Sequence, residues 1–358
     1  MMFLLTIWLA SNQIFEHSSK QLVMNLVKIF DTRPKSNIIE LAQGDNLLNR
    51  KTILIFLIGL LGWLSACSPT PPEQGKPSVV ASTTLIGDVV HQVGGDLIQL
   101  HVLLPVNSDP HSFAPAPKDV VRVETASLVF LNGLNLEEGL ADLISTNAQG
   151  KIVTVSDGVQ TLEIGSHGHD EDGEPEEGNE AHARPDPHVW MNPANVQIWT
   201  ENIARELSEL DPANASTYQQ NAAAFSAELQ TLDSWIRAQI EQVPPERRGL
   251  VTDHDTLGYF AEAYGLRVIG VVVIGGSTLS DPSAQQIAAL EEDISQFNTS
   301  AIFVDTTVNP QLSERIAADT GTALVRLYTG SLSAGDGPAA TYIEMMRYNV
   351  RAIVEALK

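Results

Sequence analysis

Short apolar runs alternate with stretches of helical periodicity along the chain from about residue 79 to the C-terminus. Runs such as residues 79–82, 127–131 and 301–305 have the length and apolar content typical of buried strands. The stretches between such runs, for example 117–125 and 283–297, repeat their apolar residues at helical spacing. A last helix is predicted from Pro338 to the C-terminus. Strands that alternate with helices in this way predict βαβ units built around parallel sheets.

One longer helical pattern separates two such series. Its apolar residues recur at mostly helical spacing, at Tyr218, Phe225, Leu229, Leu232 and Ile236. A helix of about 30 residues spans on the order of 45 Å, which is long enough to run across two lobes. We therefore predict an α/β fold in which two parallel-sheet α/β lobes are joined by one long helix.

The composition indicates a globular protein and excludes several kinds of partner and site. The chain is 43% hydrophobic and 18% charged, which is typical of a globular protein. Its formal net charge of −23 argues against nucleic acid or an anionic membrane surface as a partner. The single cysteine, Cys67, excludes an intrachain disulfide and a cysteine-based zinc site.

Cys67 follows a segment with the features of a secretory signal. Arg50 and Lys51 precede an apolar run at residues 52–64, and small residues separate that run from the cysteine. The run is shorter than the about 20 residues of a membrane span. The tetrapeptide LSAC that ends at Cys67 resembles a bacterial lipobox, in which the cysteine is lipidated and becomes the mature N-terminus. A signal anchor with an incidental cysteine is the alternative, and residues 1–49 suggest a start site placed too far upstream.

Three histidines share a carboxylate-flanked context. Two lie in the repeated tripeptide Asp109-Pro110-His111 and Asp186-Pro187-His188, and the third lies in Asp253-His254-Asp255. Imidazole is the commonest metal ligand at neutral pH, proline stiffens a turn, and a carboxylate can orient a ring nitrogen. In open α/β sheets, ligands bind beyond the carboxyl ends of the strands, where these loops are expected. The pattern predicts a transition-metal site between the lobes, with zinc as the favoured ion.

The other histidines of the mature chain lie in regular elements or in one acidic tract. His91 and His101 lie inside a predicted helix and a predicted strand and are assigned to no site. The tract at residues 165–184 has no apolar periodicity, which predicts a mobile loop. It contains three histidines: His167, His169 and His182. The loop either captures zinc loosely or is a solvated linker with incidental histidines.

Four separated strings resemble one protein family. They are LLPVNSDPHSFAPAPKDV (103–120), PDPHVWMNPANV (185–196), DPANASTYQQN (211–221) and DHDTLGYFAEAYG (253–265). The family is that of the zinc/manganese solute-binding proteins of bacterial ABC importers, which includes lipoprotein adhesins. The similarity runs from about residue 79 to the C-terminus. It implies a metal ion held between two lobes joined by one rigid helix, with His111, His188 and His254 as ligands.

The resemblance also bears on which metal is bound. Manganese-type members resemble the segment LYTGSL (327–332) but carry an aspartate ligand at the position of Gly330, and they commonly have glutamate at that of His254. Three imidazoles suit zinc, whereas manganese prefers carboxylate oxygens. Zinc is therefore expected, with manganese as the alternative. The fourth ligand is water, a histidine of the acidic loop, or Asp305, which could equally be a helix cap or an outer partner of the site.

These features predict an extracytoplasmic, lipid-anchored monomer that binds zinc and delivers it to an ABC permease in the membrane. Affinity is expected to fall below about pH 6, where free imidazole is protonated. A zinc hydrolase is the main rival, since three histidines and a water on zinc are also a catalytic arrangement, with Asp253 or Asp255 as base. The sequence contains no His-Glu-x-x-His, Gly-x-Ser-x-Gly or phosphate-loop motif, so no enzyme is expected. A purely adhesive surface lipoprotein is the third possibility.

The predicted organisation has five parts. They are an N-terminal extension with the signal peptide (1–66), the lipidated cysteine with a proline-rich tether (67–77), an N-terminal metal-binding lobe (78–210), a linking helix (211–243) and a C-terminal metal-binding lobe (244–358).

Overall fold

The computed structural model of the chain describes residues 75–164, 184–274, 278 and 280–358. The predicted signal peptide, Cys67 and the three histidines of the acidic loop lie outside these residues. Within the part that is described, no helix is both long enough and apolar enough to cross a membrane.

Eight strands of the described residues form two parallel sheets of four strands. The first sheet has the order β2-β1-β3-β4 and comprises β1 (Ser78–Ala81), β2 (Gln99–Val102), β3 (Leu128–Leu131) and β4 (Lys151–Thr154). The second has the order β6-β5-β7-β8 and comprises β5 (Gly249–His254), β6 (Arg267–Val273), β7 (Ala301–Asp305) and β8 (Ala323–Leu327). All neighbouring strands are parallel, so the prediction of two parallel-sheet α/β lobes is confirmed.

The α-helices connect and cover these strands. In chain order they are α1 (Thr84–Gly94), α2 (Pro117–Thr125), α3 (Glu138–Asn147), α4 (Pro193–Leu210), α5 (Ala215–Ile240), α6 (Gly258–Tyr264), α7 (Ala284–Gln296), α8 (Gln311–Thr320) and α9 (Tyr342–Leu357). Two helices begin four residues later than predicted: the linking helix, predicted at 211–243, is α5 at Ala215–Ile240, and α9 begins at Tyr342 rather than at Pro338. Thr341 has an extended backbone, and its hydroxyl accepts a hydrogen bond from the Glu344 N–H (3.3 Å), so this cap sets the start of the helix.

Alternate residues of the central strands pack into different hydrophobic clusters. In β1, Val79 belongs to a core cluster that also contains α5, whereas Val80 belongs to a separate cluster of the first lobe. In β7, Phe303 belongs to the same core cluster, whereas Ile302 belongs to a separate cluster of the second lobe. Successive strand residues point to opposite faces, so each sheet is covered on both sides. One face of each sheet contributes to a single core that both lobes share.

The long helix α5 lies in this shared core. Its 26 residues correspond to a length of about 39 Å. Buried residues recur at every third or fourth position: Tyr218, Ala222, Phe225, Leu229, Leu232, Ile236 and Ile240. The helix packs against α1 and α4 of the first lobe and against α6 and α9 of the second.

The ends of α5 lie beside the amino-terminal edges of the two sheets. Asn221, near its start, donates to the carbonyl of Val93 at the end of α1 (2.9 Å). Arg237, near its end, donates to the carbonyl of Ala263 at the end of α6 (3.0 Å). Both α1 and α6 run from the carboxyl edge of their sheet back to its amino edge. The carboxyl edges of both sheets therefore face the middle of α5, and a ligand site is expected between them.

Replacing Leu229 with alanine should lower the free energy of unfolding by about 2–5 kcal/mol, because this side chain is fully buried in the core that both lobes share. Urea unfolding followed by circular dichroism and by tryptophan fluorescence should report the loss in one common transition. Gln230→Ala, on the exposed side of the same turn, is the control and should change the value by less than about 0.5 kcal/mol. Two separate transitions for the wild-type lobes would contradict a shared core.

Candidate metal centre

The three carboxylate-flanked histidines converge between the lobes. His111 lies in the loop after β2, His188 in the loop between β4 and α4, and His254 at the end of β5. One ring nitrogen of each lies within 4.8 Å of the others. The Nε2 atoms of His111 and His188 are 3.1 Å apart, and the ring centroids of the three pairs are separated by 5.2, 5.5 and 5.8 Å. His188 and His254 are buried, and His111 is partly buried.

The two Asp-Pro-His tripeptides form the same turn but orient their rings differently. In each, the aspartate accepts a hydrogen bond (2.9 Å) from the backbone N–H of the histidine two residues later. Asp186 also lies 2.7 Å from Nδ1 of His188 and so orients that ring. Asp109 instead accepts from the hydroxyl of Thr278 (2.5 Å), in the segment after β6. The His111 loop is thereby linked to the second lobe.

Asp253 orients His254 and connects it to the neighbouring strand. One Asp253 oxygen accepts from the His254 N–H (2.8 Å) and lies 3.0 Å from Nδ1 of the ring. The other accepts from the backbone N–H of Asp305 at the end of β7 (2.8 Å). A carboxylate at Nδ1 leaves Nε2 as the atom available to a metal ion, for both His188 and His254.

Burial and the nearby carboxylates have opposite effects on the pKa values of the three histidines. Burial, with repulsion from the other histidines, lowers the pKa of His111 to about 3. Burial, with repulsion from His254, lowers the pKa of His188 to about 3. Burial would also lower the pKa of His254, but attraction to Asp253 and smaller contributions from more distant aspartates outweigh it and raise this pKa to about 9. Without an ion, the site therefore holds one proton near neutral pH, on His254.

Side chains of the second lobe hold the His188 loop in place. Tyr259 donates through its hydroxyl to the carbonyl of Asp186 (2.8 Å), and Tyr342 donates to the carbonyl of Trp190 (2.7 Å). Trp190 in turn donates through Nε1 to the carbonyl of Thr329 (2.8 Å). These bonds are buried, so losing any one of them would leave polar groups unpaired away from water. The position of His188 therefore depends on the second lobe.

A second network supports the same loop from inside the first lobe. Asn132, just after β3, donates through Nδ2 to the carbonyl of Pro187 (3.0 Å) and accepts at Oδ1 from the hydroxyl of Ser156 (3.1 Å). Glu137 accepts from the backbone N–H of Asn132 (2.7 Å) and from the hydroxyl of Ser82 (2.6 Å). The carbonyl next to His188 is thus fixed by a chain of buried hydrogen bonds.

Asp305 lies outside the group of histidines that converge. Its carboxylate accepts from the Thr329 hydroxyl (2.7 Å) and from the Thr307 N–H (3.0 Å). Burial, with repulsion from Asp253, raises the pKa of this carboxyl. Gly330 lies directly against it, because a Cβ at that position would be 2.8 Å from Asp305 Oδ2. The space beside Gly330 is thus occupied by the Asp305 carboxylate.

Sequence reasoning did not identify Tyr259, Trp190 or Asn132. Trp190 and Tyr259 lie inside two of the strings that resemble the family, and Asn132 follows a predicted strand. Only these positions in the sequence could have indicated that the three residues belong to the site. Their hydrogen-bond partners are 73, 139 and 55 residues away for Tyr259, Trp190 and Asn132, respectively. Such contacts cannot be seen in a local pattern. His91 and His101, which were assigned to no site, lie in α1 and β2.

Comparison with known proteins places this site in a family. The chain matches the sequence model of the family described as zinc-uptake complex component A, periplasmic (ZnuA), over residues 79–356. It is 32% identical over 314 residues to the manganese ABC transporter substrate-binding lipoprotein of Streptococcus gordonii, which covers 85% of this chain and 96% of the relative. It is 31% identical over 305 residues to the iron ABC transporter substrate-binding lipoprotein of Streptococcus pyogenes serotype M1, covering 82% and 94% of the two chains.

Solved structures agree with the sequence comparison. The Mn-bound periplasmic metal-binding protein from Candidatus Liberibacter asiaticus has a TM-score of 0.69 and 29% identity, over 79% of this chain and 100% of that one. The periplasmic zinc-binding protein of Treponema pallidum has a TM-score of 0.68 and 28% identity, over 79% and 99%. These relatives are solute-binding proteins, which confirms both the resemblance and the expectation that the chain is not an enzyme. The chain belongs to the ZnuA family of metal-binding components of ABC transporters.

Proposed function

We propose that this protein binds zinc through His111, His188 and His254 and delivers the ion to an ABC permease. The observation that carries the proposal is the convergence of three ring nitrogens, contributed by both lobes, within 4.8 Å of one another. Three imidazole nitrogens are a donor set that binds zinc. The zinc ion is the cargo of the protein and enters and leaves through this site.

The donor atoms favour zinc over manganese. All three are imidazole nitrogens, whereas manganese prefers carboxylate oxygens. Relatives are named for manganese, iron and zinc, so manganese is kept as the alternative cargo. Asp305 is bonded to Thr329 and Thr307, which supports an outer role in which it acts on His254 through Asp253. Water or a histidine of the acidic loop (His167, His169 or His182) then supplies the fourth ligand.

Zinc must displace the proton of His254 to use that ring. Because the pKa of His254 is raised to about 9, the proton competes with zinc at every pH below about 9. Between about pH 3, where His111 and His188 lose their protons, and about pH 9, one proton is displaced for each zinc ion bound. The affinity for zinc should therefore rise about tenfold per pH unit across this range. The expected loss of affinity therefore begins well above pH 6, the value suggested by free imidazole.

The relatives support a location outside the cytoplasm. They are named substrate-binding lipoproteins and periplasmic metal-binding proteins. In our proposal Cys67 carries the lipid, residues 67–77 form the tether, and the lobes at 78–210 and 244–358 bind the metal as a monomer around the linking helix at 211–243. The loaded protein then docks on the membrane permease.

Substituting the three histidines tests the site directly. His111→Ala, His188→Ala and His254→Ala should each weaken zinc binding by more than about 100-fold, which exceeds the effect typical of losing an outer partner of a metal ligand. Equilibrium dialysis with metal analysis measures this, and thermal unfolding checks that each variant is folded. His91→Ala, an exposed histidine of α1, is the matched control and should bind normally. Undiminished zinc binding in all three variants would contradict the assignment.

The protonation of the metal-free site can be measured by NMR of the imidazole rings. His254 should lose its proton near pH 9, while His111 and His188 should stay neutral down to about pH 3. Asp253→Asn should lower the pKa of His254, because the largest favourable charge is then removed and burial remains. Asp96→Asn, which removes an exposed carboxylate after α1, should leave this titration unchanged. A His254 that titrates below pH 6.5 in the wild type would refute the proposed proton competition.

The glycine at position 330 can be tested as a determinant of metal choice. Gly330→Asp should shift the ratio of zinc to manganese affinity towards manganese by about tenfold, because it adds a carboxylate oxygen next to the site. The new Cβ requires the Asp305 carboxylate to move from its 2.8 Å position, so some loss of stability is expected as well. Gly330→Asn has the same size without the charge and serves as the control. Equal metal preference in the two variants would show that the carboxylate at this position does not decide it.

A further inference from the structure

A cavity of about 450 Å³ lies at the end of the second lobe that is remote from the histidines. Its walls include Gly249 and Arg267, the first residues of β5 and β6, together with Arg248, Phe297 and Thr299. His254 is at the opposite end of β5, a strand of six residues that begins at Gly249. A strand of that length spans about 17–20 Å, so the cavity is separate from the metal centre.

The cavity concentrates positive charge in an acidic chain. Arg247, Arg248 and Arg267 all line it, whereas the whole chain has a formal net charge of −23. Arg247 contacts the carbonyl of Lys358 at the C-terminus. Among the described residues, no carboxylate forms an ion pair with Arg248 or Arg267. Two guanidinium groups in the cavity are therefore available to an anion.

Both guanidinium groups are held by neighbouring atoms. Arg248 donates through Nε to the carbonyl of Val243 (3.0 Å), which leaves its terminal nitrogens free to bind elsewhere. The guanidinium carbon of Arg267 lies 4.7 Å from the centre of the Phe297 ring, and this contact restricts its orientation. The backbone N–H of Arg267 donates to the carbonyl of Arg248 (2.9 Å), so the two residues are adjacent. An anion would meet one guanidinium group fixed by a hydrogen bond and a second, exposed one stacked on an aromatic ring.

An unpartnered hydroxyl lies in the wall of the cavity. Thr299 lines the same cavity, and its Oγ1 is buried without a hydrogen-bond partner among the described residues. Buried polar atoms are rarely left without a partner, so each such atom calls for an explanation. Glu246 also lines the cavity, but it is exposed, and its charge can stay in water.

We propose that this cavity binds a phosphate-bearing anion between Arg248 and Arg267, with the Thr299 hydroxyl as a third contact. Guanidinium groups bind phosphate oxygens in paired, charge-assisted hydrogen bonds, which explains two arginines without carboxylate partners. A cavity of about 450 Å³ is in the range of small-molecule sites and is larger than inorganic phosphate needs. The ligand class is therefore a phosphate ester. The proposal is independent of which metal the histidines bind.

Isothermal titration of the purified protein with inorganic phosphate and with glycerol phosphate tests the site. Both should bind at one saturable site, and Arg248→Gln/Arg267→Gln should weaken binding by about tenfold or more. The single variant Arg267→Gln and the isosteric Thr299→Val should each weaken it by about threefold. Arg315→Gln removes the same charge from an exposed, ion-paired position on α8 and should have no effect. Zinc affinity should be unchanged in all these variants. A failure of the anion proposal can therefore be distinguished from a failure of the proposed metal site.

The source of the phosphate group is distinguished by a third ligand. Glycerophosphoglycerol is the soluble headgroup of an anionic lipid, and tighter binding of this diester than of glycerol phosphate would assign the cavity to a lipid headgroup. Tighter binding of glycerol phosphate would assign it to a soluble phosphate ester. The absence of saturable binding up to about 10 mM of any of these ligands would overturn the proposal. So would an equal loss of binding in Arg315→Gln and in the double variant, because that would show a general effect of charge.

Discussion

The packing of α5 into a core shared by both lobes is the constraint on which the rest of the structure depends. Residues from Tyr218 to Ile240 pack against helices of both lobes, and apolar residues from both sheets join the same cluster. Protein interiors are packed as densely as organic crystals, so the lobes cannot separate far without opening cavities along this helix. The shared core thus allows His254 to be held at a fixed distance from His111 and His188, which belong to the other lobe.

Between the two lobes, polar contacts set the orientation and the pKa of the histidine rings. Asp186 orients the ring of His188, whereas the equivalent Asp109 contacts Thr278 of the second lobe. Two copies of one tripeptide therefore serve different purposes, one orienting a ring and the other joining the lobes. Attraction to Asp253 raises the pKa of His254 to about 9, whereas the pKa values of the other two rings are lowered to about 3. A site that holds one proton when empty couples the uptake and release of an ion to pH.

Local patterns predicted the regular elements well because each element has its own periodicity and cap. The bounds of α2 and β7 agree with the apolar pattern, since Pro117 opens the helix and strand β7 is buried along its whole length. The start of α9 was misplaced because the proline at 338 is only one of several possible starts, and the Thr341 cap decides between them. The contacts of Trp190 and Tyr259 could not be predicted, because their partners lie far away in sequence.

The sequence by itself determined the alternation of strands and helices, the turns at the two Asp-Pro-His tripeptides and the imidazole character of the candidate ligands. These properties depend on the nature and order of neighbouring residues, which are read directly from the chain. Only the tertiary structure decided that the three rings meet, that His254 carries the proton, that Asp305 occupies the space beside Gly330 and that two arginines line a separate cavity. Those properties depend on burial and on distances between residues that folding brings together from both lobes.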